Sequence, residues 1–222
     1  MASTSPAALA IIAFTLALTA PQAKAAGEGV DELTRAALAA PADPLRGRAH
    51  YERHCARCHG AAAEGDDRRR IPVLAGQRFG YLVRQLAGFA TAERESAAMH
   101  PVVAAKELRL PQTWSDVAAY LHGAAVPEHT RTGDGRQLGL GEATFRIECA
   151  SCHHDDARGD DDGAVPSLRN QNYATLLSQM RRLSDIHRHE MAEPVAQLVH
   201  SLRSDEAQAV ADYVSRMRDA AP

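Results

Sequence analysis

The sequence predicts an all-α protein made of two tandem copies of one small domain. The chain repeats its own pattern at a spacing of 94 residues, which is how a duplicated domain appears in a sequence. Within each copy, apolar residues recur three and four positions apart, as they do in amphipathic helices. No segment sustains the alternation of apolar and polar residues that is typical of strands, so we expect sheet to contribute little.

The repeat rests on identical or similar residues spread over the whole unit. A shift of 94 residues superimposes Cys55-x-x-Cys58-His59 on Cys149-x-x-Cys152-His153. The other matches at this spacing are Gly47 with Gly141, Tyr51 with Phe145, Pro72 with Pro166, Leu74 with Leu168, Gln77 with Gln171, Leu82 with Leu176 and Gln85 with Gln179. Near the end of each copy the spacing becomes 93, where Tyr120 matches Tyr213.

The seam between the copies sets the expected domain boundaries. Between Gly123 and Gly139 the sequence is rich in Pro, Gly and polar residues, as linkers are. We therefore predict a signal peptide at 1–25, an N-terminal extension at 26–43, a first domain at 44–122, a linker at 123–138 and a second domain at 139–218.

Residues 1–25 are typical of a secretory signal. Ala7 to Ala20 form an apolar run, and Ala23-Lys24-Ala25 offers a small-residue cleavage site. The first ten residues lack Lys and Arg, which departs from the usual positive start. An uncleaved anchor is the alternative, although the run is short for a bilayer. We expect a mature protein in the periplasm, with at most peripheral membrane contact.

The composition indicates which partners the protein can bind and what must fill its hydrophobic cores. The formal net charge is -3, and a mildly acidic protein is a poor ligand for nucleic acid. Only 5% of the residues are aromatic, and a domain of half this length is small for a self-sufficient core. A bulky buried group in each domain would fill the interior.

Three principal helices are expected in each copy, in the same order. They are 47–55 and 141–149 before the cysteine motif, 77–90 and 171–183 with the clearest apolar periodicity, and 114–121 and 205–217 at the end. A further short helix is expected around residues 31–40, ahead of the first copy.

Both copies contain Cys-x-x-Cys-His, the attachment motif of c-type haem. Cysteines three positions apart lie on one side of a helical turn, so both thiols can bond vinyl groups of the same haem. The histidine that follows can bind the iron as its proximal ligand. We therefore predict two covalent haem c groups: thioether bonds from Cys55, Cys58, Cys149 and Cys152, and iron bonds from His59 and His153.

Other chemistries also use paired cysteines. A thioredoxin-like dithiol contains Cys-x-x-Cys, and an exported protein can form disulfides. Neither requires a histidine directly after the second cysteine in both copies. A four-cysteine zinc site would have to unite two pairs that lie in separate repeats. Haem attachment is the interpretation that the motifs favour.

Beyond the motifs, the chain resembles cytochrome c4 and its di-haem relatives, in which two cytochrome c domains are joined in tandem. The residues that carry the resemblance are the two Cys-x-x-Cys-His motifs, Pro72 with Leu74-Ala75-Gly76-Gln77, Tyr81-Leu82, Gln85-Leu86, Met99 and Ala118-Ala119-Tyr120. The second copy keeps Pro166, Leu168, Gln171 and Met191, but has Arg169-Asn170 in place of Ala75-Gly76. The resemblance covers roughly residues 44–218 and implies one cytochrome c domain around each haem.

The resemblance implies a methionine sulfur on the other face of each iron. Met99 and Met191 follow their proximal histidines by 40 and 38 residues, and each precedes the last helix of its copy. A core role is the alternative, since methionines often fill cores. His187 and His189 lie next to Met191 and could compete for the second iron, as His100 could for the first.

Two further roles follow from the same resemblance and from packing. The carbonyls of Pro72 and Pro166 would accept a hydrogen bond from the proximal imidazole and fix its orientation. Plain turn prolines are the alternative. Gly47 and Gly141 suit close helix crossings near Tyr120 and Tyr213.

The expected function is single-electron transfer between redox proteins rather than catalysis. The resemblance implies a respiratory role, with a membrane terminal oxidase or a donor dehydrogenase as partner. One alternative is a di-haem subunit of a dehydrogenase, such as a sulfide-oxidising flavocytochrome. A di-haem peroxidase or thiosulfate dehydrogenase is the enzyme alternative, but such an enzyme needs an open or unusual iron site.

Overall fold

The computed structural model describes Met1 and residues 28–128, 130–183 and 193–218. Over these residues the chain is helical, and its extended pairings are two isolated β-bridges, Asp66–Ile71 and Asp160–Val165. The all-α prediction is confirmed. Apart from Met1, the predicted signal peptide lies outside the described residues.

Eleven α-helices follow one another through the described residues. The first half contains α1 (Glu28–Ala39), α2 (Pro44–His54), α3 (Ala56–His59), α4 (Phe79–Ala90), α5 (Met99–Val103), a 3₁₀ turn (Lys106–Arg109) and α6 (Pro111–His122). The second half contains α7 (Leu138–Thr144), a π-helical turn (Phe145–Cys149), α8 (Ala150–His153), α9 (Tyr173–Leu183), α10 (Glu193–Ser201) and α11 (Ser204–Ser215). Within these ranges, no helix combines the length and the apolar character needed to cross a bilayer.

The helix before each cysteine motif crosses the last helix of its copy at a glycine. A Cβ at Gly47 would fall within 3.0 Å of the backbone of Asp116, and one at Gly141 would do so at Ala209. Real Cβ atoms do not approach that closely. The expected crossings near Tyr120 and Tyr213 are therefore confirmed, since glycine alone lets these helix backbones meet.

An aromatic pair repeats beside each crossing. The ring centroids of Tyr51 and Tyr120 lie 5.4 Å apart, and those of Phe145 and Tyr213 lie 6.0 Å apart, both tilted. These spacings are within the favourable range for aromatic pairs. The crossings thus have the same construction in both halves.

Each half has its own hydrophobic core. The first core is built around Tyr51, Val83 and Trp114, and the second around Phe145 and Val214. The predicted extension contributes to the first core through α1, which packs on α4 and α6. Its Val30 and Ala37 are fully buried, so α1 is an integral part of the first half.

The two most periodic helices begin later than the sequence pattern predicts. We expected starts at Gln77 and Gln171, but α4 begins at Phe79 and α9 at Tyr173. Ahead of them, Gly76 and Asn170 adopt φ of +69° and +59°, in the left-handed region that a right-handed helix cannot include. Arg78, at φ −62° and ψ 133°, is the extended N-cap of α4. Gln77 therefore lies ahead of α4, as Gln171 lies ahead of α9.

The second copy has Asn170 at the position that Gly76 occupies in the first copy. Gly76 has the left-handed backbone that glycine adopts without strain. Its counterpart Asn170 holds the same conformation, and asparagine is among the few other residues that visit it readily. The exchange of glycine for asparagine therefore preserves the local fold.

Candidate haem sites

In the first half, the cysteine motif forms its own short helical turn after α2. Cys55 ends α2, and α3 carries the rest of the motif from Ala56 to His59. Cys55 is half-buried and Cys58 exposed, whereas the His59 side chain is buried. One turn therefore presents two thiols near the surface and one imidazole to the interior.

The imidazole of His59 is held by the backbone of Pro72. Its Nδ1 lies 3.2 Å from the carbonyl oxygen of Pro72. A carbonyl can only accept, so Nδ1 must carry the proton. The lone pair is then on Nε2, the atom available to a metal.

The second motif repeats this geometry. The Nδ1 of His153 lies 3.0 Å from the carbonyl oxygen of Pro166. The motif begins at Cys149, the last residue of the π-helical turn, and continues through α8. Both prolines therefore accept the bond that the sequence resemblance implied.

The loop that carries each proline has the same hydrogen bonds in both halves. Gly65 and Gly159 donate to the carbonyls of His59 and His153 over 2.8 Å and 3.1 Å. One turn later, Leu74 donates to Ala63 over 2.8 Å, as Leu168 does to Ala157 over 2.9 Å. These contacts fix the proline carbonyl relative to the motif histidine.

Burial sets the protonation of both motifs. It lowers the pKa of His59 and of His153, more strongly than the proline bonds raise it. It raises the pKa of Cys55 and of Cys149 to about 11. The imidazoles are therefore neutral, which is their metal-binding form, and the half-buried thiols of Cys55 and Cys149 stay protonated at neutral pH.

These donors fit a covalently attached haem. Each motif combines two free thiols on one turn with a neutral imidazole whose Nε2 lone pair is available. All four cysteines are free thiols, and each half contains two of them. In the described part of the chain, no three His, Cys, Asp or Glu side chains converge on a point where a metal ion such as zinc could bind.

Of the two predicted methionine ligands, the structure describes Met99 but not Met191. Met99 is half-buried at the start of α5, where its amide lies 3.2 Å from the Ser96 hydroxyl. Met191, together with His187 and His189, falls outside the described residues. The assignment of Met99 and Met191 to iron remains a prediction.

Sequence reasoning missed the residues that join the two halves. Gln77 and Gln171 matched each other in the repeat, but they were expected on helices. In the structure both are buried between the halves, and each binds the backbone of the opposite half. Their identity at equivalent positions was the available signal.

The loop after the second motif, which contains Asp160, Asp161 and Asp162, also contributes to the contact between the halves. Arg78 of the first half donates to the carbonyl of Arg158 over 2.7 Å and lies 3.4 Å from the Asp161 carboxylate. Asp67 accepts a bond from the amide of Ala174 over 3.1 Å. The tandem domains are therefore joined by polar contacts.

Comparisons with known proteins agree with this geometry. A family model described as cytochrome c matches residues 45–124. The chain is 29% identical over 173 residues to a thiosulfate dehydrogenase electron acceptor from Stutzerimonas stutzeri (strain A1501), which covers 73% of this chain and 78% of that protein. It is 40% identical over 67 residues to cytochrome c-552 from Acidithiobacillus ferridurans, which covers 30% of this chain and 27% of that protein.

Solved structures show the same tandem fold. Reduced cytochrome c4 from Pseudomonas stutzeri superposes with a TM-score of 0.71 at 21% identity, over 80% of this chain and 100% of that chain. Cytochrome c4 from Acidithiobacillus ferrooxidans gives 0.64 at 23%, over 74% and 98%. Thiosulfate dehydrogenase (TsdBA) from Marichromatium purpuratum gives 0.68 at 26%, over 78% of this chain but 40% of that chain.

The family match, the duplicated haem-binding geometry and the tandem fold lead to one identification. The chain has the tandem two-domain fold of cytochrome c4, and its first half matches the cytochrome c family.

Proposed function

We propose that the mature protein is a periplasmic single-electron carrier with one haem bound by each half. Cys55 and Cys58 bond the first haem and His59 binds its iron. Cys149, Cys152 and His153 do the same in the second half. Met99 and Met191 would each supply a thioether sulfur to the iron of their half. The observation that carries this proposal is the motif histidine bonded to a proline carbonyl, present once in each half.

The protein's own groups prepare these sites for electron transfer. A bound haem holds one electron and releases it again without bond breaking. The Pro72 carbonyl keeps the His59 ring in a single orientation, so little reorganisation accompanies a change of charge. A histidine and a methionine from the chain on each iron would leave no position for a substrate, which is the requirement that separates a carrier from an enzyme.

A dehydrogenase that oxidises an inorganic sulfur compound is the proposed donor. The relative from Stutzerimonas stutzeri is described as the electron acceptor of a thiosulfate dehydrogenase and covers most of both chains. We propose a donor of this class for the present chain, with a terminal oxidase or another soluble redox protein as acceptor.

A permanent subunit of such a dehydrogenase is the second candidate. It is favoured by the superposition of most of this chain on less than half of a thiosulfate dehydrogenase chain. A free carrier should dissociate after each transfer, whereas a subunit should copurify with its enzyme.

Rapid mixing tests the donor. The exported, haem-loaded protein is mixed with a thiosulfate dehydrogenase, with and without thiosulfate, and haem reduction is followed by absorbance. Thiosulfate-dependent reduction of both haems, with no thiosulfate oxidation by the chain alone, supports the proposal. Failure of the reduction, or thiosulfate oxidation by the chain itself, contradicts it. Size-exclusion chromatography of the mixture separates the carrier from the subunit.

The exported protein also tests the location. Its N-terminus should be Ala26 after cleavage, and it should be released with the periplasmic fraction. An intact Met1 in membranes would favour the anchor.

A further inference from the structure

Two buried glutamines, one from each half, bind the backbone of the opposite half in the same way. The Oε1 of Gln171 accepts the N–H of Val73 over 2.9 Å, and its Nε2 donates to the Val73 carbonyl over 3.0 Å. In the same way, the Oε1 of Gln77 accepts the N–H of Ser167 over 2.8 Å, and its Nε2 donates to the Ser167 carbonyl over 2.9 Å. Gln77 and Gln171 are repeat equivalents, as are Val73 and Ser167, so the two contacts are related by the internal symmetry.

Each glutamine ends a chain of hydrogen bonds that starts at the histidine of the other half. The Pro72 carbonyl and the Val73 N–H belong to one peptide group. The carbonyl accepts from His59 Nδ1 over 3.2 Å, and the N–H donates to Gln171. In the second half, His153 bonds to the Pro166 carbonyl over 3.0 Å, and the Ser167 N–H of that peptide donates to Gln77.

Hydrogen bonds in series polarise one another. An acceptor on the N–H side of a peptide increases the negative charge on its carbonyl oxygen, and this strengthens the bond that the oxygen accepts. A stronger bond at Nδ1 makes the imidazole a more basic ligand at Nε2. A more basic ligand stabilises the ferric state and lowers the reduction potential. Gln77 and Gln171 are each only 8% exposed, so water competes little for these bonds.

We propose that Gln77 and Gln171 are positioning residues that act across the domain boundary. Gln171, in the second half, lowers the potential of the haem in the first half, and Gln77, in the first half, lowers that of the haem in the second. The potential of each haem therefore depends on the docking of the other domain. This inference rests on the proposed ligation of iron by His59 and His153.

Reduction potentials of the haem-loaded variants test this crossed assignment. Each haem is identified by the hyperfine-shifted methyl resonances of the oxidised protein. Gln171→Leu should raise the potential of the haem at Cys55 and Cys58, and Gln77→Leu that of the haem at Cys149 and Cys152. In the reduced protein, the Nδ1 proton of the affected histidine should move upfield.

Gln171→Glu and Gln179→Leu are the comparison variants. Glutamate keeps an oxygen acceptor for the Val73 N–H, so it should return the first potential to the wild-type value or below, whether or not Gln171→Leu assembles well. Gln179 contacts Arg94 across the same boundary over 3.1 Å, whereas the acceptors of the Val73 and Ser167 N–H groups are Gln171 and Gln77. Gln179→Leu should leave both potentials unchanged.

The inference is tested by which haem changes its reduction potential in each variant. It is overturned if each leucine variant shifts the haem of its own half, if both haems shift equally, or if neither moves. Equal shifts would mean that the glutamines only hold the domains together. If the unmodified protein lacks two low-spin haems with histidine ligands, the proposed function fails instead, and its optical spectrum shows this before any variant is made.

Discussion

His154 occupies the backbone conformation that Gly60 occupies in the other half. Gly60 has φ 85° and ψ 158°, and His154 has φ 64° and ψ 163°. Both directly follow the motif histidine, so the chain must turn identically there. Only glycine adopts this region without strain, and the second half therefore stores strain next to its haem-binding turn.

Replacing this histidine should stabilise the second half. His154→Gly removes a strain of about 1–3 kcal/mol, offset in part by the greater flexibility of unfolded glycine, about 0.5–1 kcal/mol. We expect a net gain of about 1 kcal/mol. Guanidinium unfolding of the haem-loaded protein measures it. The single tryptophan, Trp114, reports the first half by fluorescence, while circular dichroism reports both.

The expected result is a later circular dichroism transition with an unchanged fluorescence transition. Gly60→His is the converse variant, because it places a side chain at φ 85° and a Cβ against the Glu64 carboxylate. It should move the fluorescence transition to lower guanidinium. A loss of stability in His154→Gly would show that the histidine makes a compensating contact.

The helix crossing in the second half predicts opposite effects for two glycines of α7. Gly141→Ala places a methyl group against the Ala209 carbonyl and should destabilise by about 1–3 kcal/mol. Gly139→Ala meets nothing within 4 Å and should stabilise by about 0.5–1 kcal/mol, because alanine favours helix. Circular dichroism unfolding compares the two. Equal effects would contradict the close crossing.

Much of this fold follows from local pattern, but the contacts between the halves do not. The repeat and the cysteine motifs predict the helices before and after each site, and Gly47 and Gly141 predict the crossings. The apolar period does not reveal where α4 begins, since the extended backbone of Arg78, at φ −62° and ψ 133°, sets the start of the helix. Nor does it reveal that Gln77 bonds to Ser167, because that contact spans 90 residues and depends on how two folded domains dock.

The buried carboxylate of Asp116 should make the stability of the first half sensitive to acid. Its carboxylate side chain is 2% exposed, and burial alone would raise its pKa. Hydrogen bonds from Arg46, the Asp43 amide and Gln112 outweigh burial and hold the pKa below the ordinary 3.8. A lowered folded pKa gives stability that is fully present above 3.8 and is lost as the pH falls through the folded value.

Asp116→Asn should therefore destabilise the first half at pH 7 but not in acid. We expect a loss of about 2 kcal/mol at pH 7 from the weakened charged hydrogen bonds, and convergence with wild type well below pH 3.8. Trp114 fluorescence during guanidinium unfolding measures both. Glu52→Gln, at a 55% exposed carboxylate, is the control and should change little. A constant difference at all pH values would contradict the assigned pKa.

The methionine ligands predict separable effects on the two haems. Met191→Ala should change the second haem only, and His187 or His189 should replace the sulfur to give a low-spin haem of lower potential. Met99→Ala should change the first haem only. Potentiometry with optical spectra measures both. A variant that keeps its original potential and methionine-type spectrum would show that the residue was not a ligand.

Carbon monoxide separates a carrier from an enzyme. Because both faces of both irons are ligated in the proposed sites, the reduced protein should bind carbon monoxide poorly at neutral pH, and it should exchange electrons rapidly with a small mediator. Rapid stoichiometric binding at one haem of the undamaged protein would favour a peroxidase or a related enzyme.

A coulometric titration of the exported protein counts the electrons that each polypeptide takes up. Two covalent haems that carry single electrons should take up two electrons per polypeptide, and both haems should stay attached to the chain after denaturation. Uptake of one electron or none, or release of haem on denaturation, would contradict the presence of two covalent electron-carrying haems.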